Sequence, residues 1–352
     1  MAGNSFGEAF RVTTFGESHG EGVGVVIDGC PSRITLSPDD FVHEMARRRP
    51  GKATFDTPRK EEDKVEILSG VFEGLTTGAP VTLFIRNQDA DSRPYEVLRH
   101  LFRPGHADYT YFKKYGHFDH RGGGRYSARE TAARVAAGVV GGKILEPLDV
   151  KVMAYTIELG GIRVGKTDLD FVGKNLLCCP DPVATERMKE VMSRARKEGD
   201  SLGGIAEVRI SNCPAGLGEP VFDKLDADLA KAVMSIGSVK GVEIGAGFEA
   251  ARSKGSENND PITPDGFSSN KAGGILGGIS NGSDIIVRAA VKPIPSIRLE
   301  QDTVDREARA AKLKFDGRFD VAAIPRIIPV LEAMVKIVLV DHYLRAKRTE
   351  GS

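Results

Sequence analysis

The sequence predicts an α+β fold, and three observations carry the prediction. Short β-like runs recur at residues 10–14, 24–27, 65–68, 81–85, 150–157, 205–210, 242–248 and 285–291. Helical patterns fall between them at irregular intervals, which argues against a strict βαβ alternation. One of these helices is small and apolar on nearly every side, as a helix buried between layers must be.

The helices can be taken in order. Ser37 reads as an N-cap, with Pro38 at the first helical position and Asp39 and Asp40 in the first turn. This helix is predicted to run to Arg49 and stop at Pro50-Gly51. Ser127 and Glu130 have capping-box spacing ahead of Ala132, Val135, Ala136, Val139 and Val140, the small apolar helix. A third helix, over residues 183–196, is amphipathic and expected at the surface, and the last covers 330–346 after Pro325 and Pro329. There is one internal echo. Ile67-Leu68-Ser69-Gly70-x-x-x-Gly74 precedes the strand at 81–85, and Ile275-Leu276-Gly277-Gly278-x-x-x-Gly282 precedes that at 285–291. A duplicated half-domain and chance both account for so short a match.

Composition bounds the function. Lys+Arg 49 against Asp+Glu 49 leaves no formal net charge, which argues against a dedicated nucleic-acid or membrane-surface binder. The four cysteines (Cys30, Cys178, Cys179, Cys213) lack zinc spacing, and a reducing cytoplasm is the simplest compartment. The N-terminus has no basic segment leading into an apolar run, so no secretory leader is expected. The most apolar stretch, residues 330–340, is broken by Glu332 and Lys336 and is too short for a bilayer span. Glycine is the unusual count, 41 of 352 residues. At roughly 12% against an average of about 7%, it implies many sharp turns or close approaches of the backbone.

Several loops could carry chemistry. Arg121-Gly122-Gly123-Gly124-Arg125-Tyr126-Ser127-Ala128-Arg129-Glu130 leads a glycine run into a helix N-terminus flanked by two arginines. Free N–H groups, the helix dipole and guanidinium forks there favour an anion, although a tight turn with ordinary capping also explains the glycines. Arg47-Arg48-Arg49 closes the first helix, where basic side chains complement the dipole, yet three in a row cannot all do so on one face. His19 lies in Gly16-Glu17-Ser18-His19-Gly20 and His106 in Arg103-Pro104-Gly105-His106-Ala107-Asp108. Each is a candidate general acid or base, or a solvated loop histidine. Lys314-Phe315-Asp316-Gly317-Arg318-Phe319-Asp320 reads on composition as a turn. Gly245-x-Gly247-x-x-Ala250 mimics a dinucleotide fingerprint, but residues 253–264 offer no helix to receive a pyrophosphate. No P-loop or metal motif occurs, so a phosphotransferase is not supported.

Taken together and in order, these loops resemble the chorismate synthase family. The matching segments are Gly16-Glu17-Ser18-His19-Gly20, Arg47-Arg48-Arg49-Pro50-Gly51, Arg103-Pro104-Gly105-His106-Ala107-Asp108 and residues 122–131. Ser235-Ile236-Gly237-Ser238-Val239-Lys240-Gly241, residues 273–278, Lys292-Pro293 and Gly317-Arg318-x-Asp320 continue the series to the last helix. The resemblance implies one family domain over residues 1–352, built as a β–α–β sandwich of antiparallel sheets enclosing long helices and assembled as a homotetramer. It implies trans-1,4 elimination of phosphate from 5-enolpyruvylshikimate 3-phosphate to give chorismate, with reduced FMN and no net redox change. Some family members reduce the flavin themselves with NADPH and others need an external reductant or reductase. Both remain open here.

The resemblance also implies roles. It places His19 near the flavin as proton donor, His106 near the leaving phosphate as acid, and Asp320 at removal of the ring proton. Arg48, Arg49, Arg103, Arg129 and Arg318 match its substrate-binding positions. Arg48, Arg125, Tyr126, Ser127, Gly237, Ser238, Gly277, Lys292, Pro293, Ile294, Pro295, Ser296 and Arg318 match its FMN-contacting ones, and no metal is implied. Three positions depart from common family residues: Tyr126 replaces a small side chain, Thr54 an arginine, and Phe319 a histidine or serine.

Overall fold

A computed structural model describes residues 3–49, 61–89, 92–314 and 319–349. The first sheet contains β1 (Ser5–Phe6), β2 (Arg11–Gly16), β3 (Gly22–Asp28), β4 (Val65–Ser69) and β5 (Val81–Arg86). They are ordered β1-β2-β3-β5-β4, every pair antiparallel. The second contains β6 (Lys151–Leu159), β7 (Ile162–Arg163), β8 (Gly204–Ser211), β9 (Val239–Ile244) and β10 (Ile285–Val291). Its order is β9-β10-β8-β6-β7, again antiparallel.

Between the sheets lie α1 (Val42–Arg48), α3 (Thr131–Leu145), α5 (Leu225–Met234) and α6 (Ile324–Thr349), while α2 (Asp108–Tyr115) and α4 (Pro182–Glu198) complete the larger helices. Helix α3 packs on β3 and β5, α6 packs on β6 and β8, and the two helices pack on each other. The layers are therefore sheet, helices, sheet: the β–α–β sandwich. Alternation makes the inner faces of the strands apolar, as in β5, where Val81, Leu83 and Ile85 are buried. At the helix contact small residues bring the backbones together; a Cβ on Gly138 would stand 2.5 Å from the Ala333 Cα.

The chain contains two structural repeats, and the echo between residues 67–74 and 275–282 runs out of step with them, since Ile67 lies in β4 and Ile275 in a later hairpin. One runs β2, β3, α1, β4, β5, α3; the other runs β6, β8, α5, β9, β10, α6. Their sheet orders, β2-β3-β5-β4 and β6-β8-β10-β9, are the same. A two-stranded hairpin precedes the last strand of each, Val71–Phe72 with Leu75–Thr76 and Ile275–Leu276 with Ile279–Ser280.

Some boundaries differ from the sequence expectation. The strand expected at 242–248 ends at Ile244, because Gly245 and Gly247 take left-handed conformations (φ 57° and 55°). A helical turn, Gly247–Arg252, and the short Gly255–Asn258 follow, where no helix is expected. The first helix begins as a tighter turn, Pro38–Phe41, with the Ser37 N–H donating to Asp40 at 2.7 Å. The box between Ser127 and Glu130 does not close, since the Glu130 carboxylate binds Thr14 and Arg134 instead. The last helix starts at Ile324, with Pro325 in its first turn and Pro329 inside. Helices α2 and α5 are additions to the four read from the sequence. The amphipathic helix is capped by Asp181, whose carboxylate accepts from the Val183 and Ala184 N–H groups.

Candidate active site

The charged loops converge on a buried carboxylate. Arg48, the last residue of α1, is 2% exposed and donates Nε and Nη2 to Asp63 Oδ2 at 3.2 and 2.5 Å. Arg129, in the turn before α3, donates to Asp63 Oδ1, to Asn87 Oδ1 at 2.8 Å and to the Arg86 carbonyl at 3.0 Å. Burial would raise the Asp63 carboxyl, but the two guanidiniums outweigh it and hold it below the usual carboxylate range. Burial pushes Arg48 down to about 10 against the pull of Asp63, with Arg129 and Arg326 adding repulsion. It therefore remains a cation at neutral pH. Arg326, in the first turn of α6, donates to Asp320 Oδ2 at 2.5 Å.

Asn87 joins this node to the first histidine loop. Its amide Nδ2 donates to the Glu17 and Gly20 carbonyls at 2.9 and 2.8 Å, framing His19. His19 Nδ1 meets Ser92 Oγ at 2.8 Å, and its ring stands edge-on to Tyr95 with centroids 5.2 Å apart. Gly122 (φ 59°) makes the close approach that glycine alone allows, since a Cβ there would lie 2.1 Å from the His19 ring. On the other side Arg103 stands over the same Tyr95 ring at 5.9 Å.

The second histidine loop is held by a charge pair. Arg103 Nε and Nη2 each donate to Asp108 at 2.8 Å, and the Tyr126 hydroxyl donates to Asp108 Oδ1 at 2.5 Å. His106 Nδ1 lies 3.0 Å from the Pro104 carbonyl, an acceptor only, so the proton sits on Nδ1. Nε2 is then the lone pair that accepts from Ser296 Oγ at 2.8 Å. Burial, helped by the charge of Arg103, lowers His106 to about 4, which makes the imidazole neutral near pH 7.

The segment Lys292, Pro293, Ile294, Pro295, Ser296 follows β10 and closes over this loop. Lys292 Nζ donates to the Gly105 carbonyl at 2.7 Å, and Pro295 fills the space that a Cβ on Gly105 would take. The Lys292 N–H donates to the Ser238 carbonyl at 2.9 Å, which brings Gly237 and Ser238 alongside.

Other expected residues stand differently. Arg125 is a clamp on backbone, donating to Gly16 O at 2.9 Å, Thr14 O at 3.1 Å and Thr14 Oγ1 at 2.7 Å. Ser127 Oγ accepts the Arg129 N–H at 3.4 Å. Gly277 sits at the tip of the second hairpin, and no described hydrogen bond ties it to the histidine loops. Arg49 is exposed and lines a cavity whose wall does not include Arg48, Asp63, His19 or His106. Gly317, Arg318, Pro50, Gly51, Lys52 and Thr54 lie outside the described residues. Sequence reasoning missed Asp63, Asn87, Ser92 and Arg326. For Asp63 a signal existed, because a buried arginine demands a carboxylate and Glu61-Glu62-Asp63 is near in sequence.

Two histidines in glycine-framed loops, beside three arginines each held by a carboxylate, form one connected polar site. Comparison with known proteins agrees in order and extent. The sequence profile of the family described as chorismate synthase matches residues 10–344. The chain belongs to the chorismate synthase family. It is 58% identical over 345 residues to a chorismate synthase of Desulfatibacillum aliphaticivorans, covering 98% of this chain and 96% of that one. It is 58% identical over 350 residues to that of Syntrophus aciditrophicus (strain SB), covering 99% of each. One solved chorismate synthase structure superposes with a TM-score of 0.78 at 34% identity, covering 97% of this chain and 93% of that one. The chain is thus an enzyme of the chorismate synthase type, a lyase, with that family's fold.

Proposed function

We propose that residues 1–352 act as one domain that eliminates phosphate from 5-enolpyruvylshikimate 3-phosphate in a trans-1,4 sense to give chorismate, the last step of the shikimate pathway. The observation that carries the reading is His106, neutral and half-buried beside Arg103, with Nε2 an acceptor that meets the Ser296 hydroxyl and can take up a proton when that contact is exchanged. A phosphate arriving next to Arg103 brings the negative charge that restores basicity to this imidazole. His106 can then hold a proton on Nε2 against the departing phosphate oxygen. Arg48, Arg129 and the matching Arg318 attract the carboxylates. Arg48 and Arg129 share the charge of Asp63, and Arg129 also lies 3.7 Å from the buried Glu61, so two guanidiniums are fixed in place by two carboxylates.

The residues present fit FMN in its reduced form. Lys292 supplies an ammonium and Ser296 a hydroxyl, and Gly237 has no heavy atom within 4 Å of where a Cβ would stand. With Ser238 they make a cationic, glycine-bearing shelf beside His106, suited to a flat, phosphate-bearing group. When bound, reduced FMN supplies transient electron density to the ring as phosphate leaves. His19, oriented through Nδ1 by Ser92, is the group that gives a proton to the flavin. Asp320, ion-paired to Arg326, is the carboxylate for the ring proton.

The exposed Phe222, Phe248 and Ile262 support burial against further copies, consistent with a homotetramer. Four free cysteines support a cytoplasmic location, and no described helix is long and apolar enough to cross a membrane. A reductant or flavin reductase, with NADPH as the electron source, is the expected partner.

The test is phosphate release from enolpyruvylshikimate phosphate under anaerobic conditions with reduced FMN. Absence of turnover by folded, flavin-loaded protein sinks the reading. His106→Ala is expected to lower kcat by about 100-fold or more with little change in KM. Equal losses in both would make His106 a binding group.

A further inference from the structure

We propose that the chain carries a second small-molecule site, apart from the node at Asp63, which binds an amphipathic carboxylate: one anionic group on an aryl or cycloalkyl body. The site is a cavity of ≈ 430 Å³ between the end of α1, the start of β6, the segment 172–178 and the first turns of α6. That is the size of an ordinary ligand pocket, about 300–1,000 Å³.

Its charge pattern selects the ligand. The two carboxylates in its wall are already satisfied. Glu332 receives both terminal nitrogens of Arg47, at 2.5 and 3.0 Å, together with the Ala154 N–H at 2.9 Å. Glu44 receives Arg47 at 2.8 Å. Arg47 is consumed by these contacts. Lys336, one turn past Glu332, and Arg49, at the end of α1, also line the cavity, and neither has an ion pair among the described residues. The wall thus keeps two cations without a counter-ion among the described residues.

The apolar part of the wall is Val152, Met153, Val172, Leu176, Pro325 and Pro329, beside the polar His43, Asn175 and Cys178 and the guanidinium of Arg326, which Asp320 holds. Met153 and Leu176 are 39% and 50% exposed, so the rim presents apolar surface beside uncompensated positive charge. A polyphosphate would find too few cations and too much hydrocarbon there. A neutral apolar molecule would leave both cations unmatched. One carboxylate on a compact apolar body satisfies both. The division also accounts for three consecutive arginines on a short helix. Arg48 turns inward to Asp63, while its two neighbours face the cavity. Arg326, held by Asp320, also lines the cavity, so the site adjoins that pair without using its carboxylate, and it shares no wall residue with His106.

The experiment is calorimetric titration of the native full-length protein with 3-phenylpropionate. Saturable binding near one per chain is expected, with propionate and 3-phenyl-1-propanol each weaker by about tenfold or more. Lys336→Gln and Leu176→Asp should each weaken 3-phenylpropionate by about tenfold while leaving the melting temperature in place. Leu176 is half exposed, so its variant remains informative even if Lys336→Gln perturbs α6. No saturable binding by the native protein, or affinity untouched by both variants, would overturn the proposal.

Discussion

In the first repeat, α1 ends in Arg47-Arg48-Arg49; in the second, the equivalent helix α5 ends before Ser235-Ile236-Gly237-Ser238. The long helices differ in the same way. Helix α3 starts beside Arg129, paired to Asp63 with side chains 3% and 0% exposed, whereas α6 starts beside Arg326, paired to Asp320 at 21% and 13%. One duplicated architecture therefore places an arginine–carboxylate pair at each central helix start, and burial separates their uses. A dry pair cannot exchange partners without stranding a charge, while a wetter one can. The Asp63 pair is locked by its burial, and the Asp320 pair is freer to exchange partners, as the role proposed for Asp320 requires.

The sharpest way to break that comparison is to neutralise each carboxylate in turn. Asp63→Asn leaves Arg48 buried without its counter-charge and Arg129 with Glu61 alone, and a loss of about 3–5 kcal/mol is expected. Asp320→Asn, at a half-buried pair, should cost less, about 1–3 kcal/mol. Denaturant unfolding of the two variants measures both. Equal losses would mean that burial does not distinguish the pairs.

A smaller effect concerns His106, whose neighbours disfavour its charged form. Its folded value, about 4, lies below the ordinary value near 6.5, so the unfolded chain binds more protons between them. Stability carried by this group is complete above about pH 6.5 and is lost as pH falls toward 4, by at most about 1.4 kcal/mol per pH unit. His106→Gln removes that slope, and the difference between wild-type and variant unfolding curves isolates it from other groups. A His106 resonance titrating near 6.5 in the folded protein would refute the assignment.

How far the sequence could be read follows from the range of each signal. Helix α3 was legible because its small apolar residues leave no polar face, and β10 because Ile285–Val291 is a sustained apolar run. The loop histidines were legible as motifs. Helix α2 was missed because Asp108–Tyr115 has one buried residue and no apolar stripe. The capping box at Ser127 failed because a tertiary partner, Thr14, outbid the local bond to Glu130. Asp63, Asn87 and Ser92 escaped for a related reason: each acts on a residue more than ten positions away, and no local pattern encodes that pairing.

The smallest effect tests where the Arg103 node stands between the two extremes. Tyr126 donates to Asp108, and its ring packs against Tyr111 with centroids 4.6 Å apart. Burial would raise the Asp108 carboxyl, but Arg103, with Tyr126 assisting, holds it low. Tyr126→Phe keeps the ring and both guanidinium contacts while removing one donor. The expected cost is about 1 kcal/mol, read as a shift in the urea midpoint at unchanged slope. A loss as large as that for Asp63→Asn would show that the hydroxyl, and not the arginine, sets the loop. No loss would show Arg103 sufficient by itself, leaving this node closer to the exchangeable pair at Asp320.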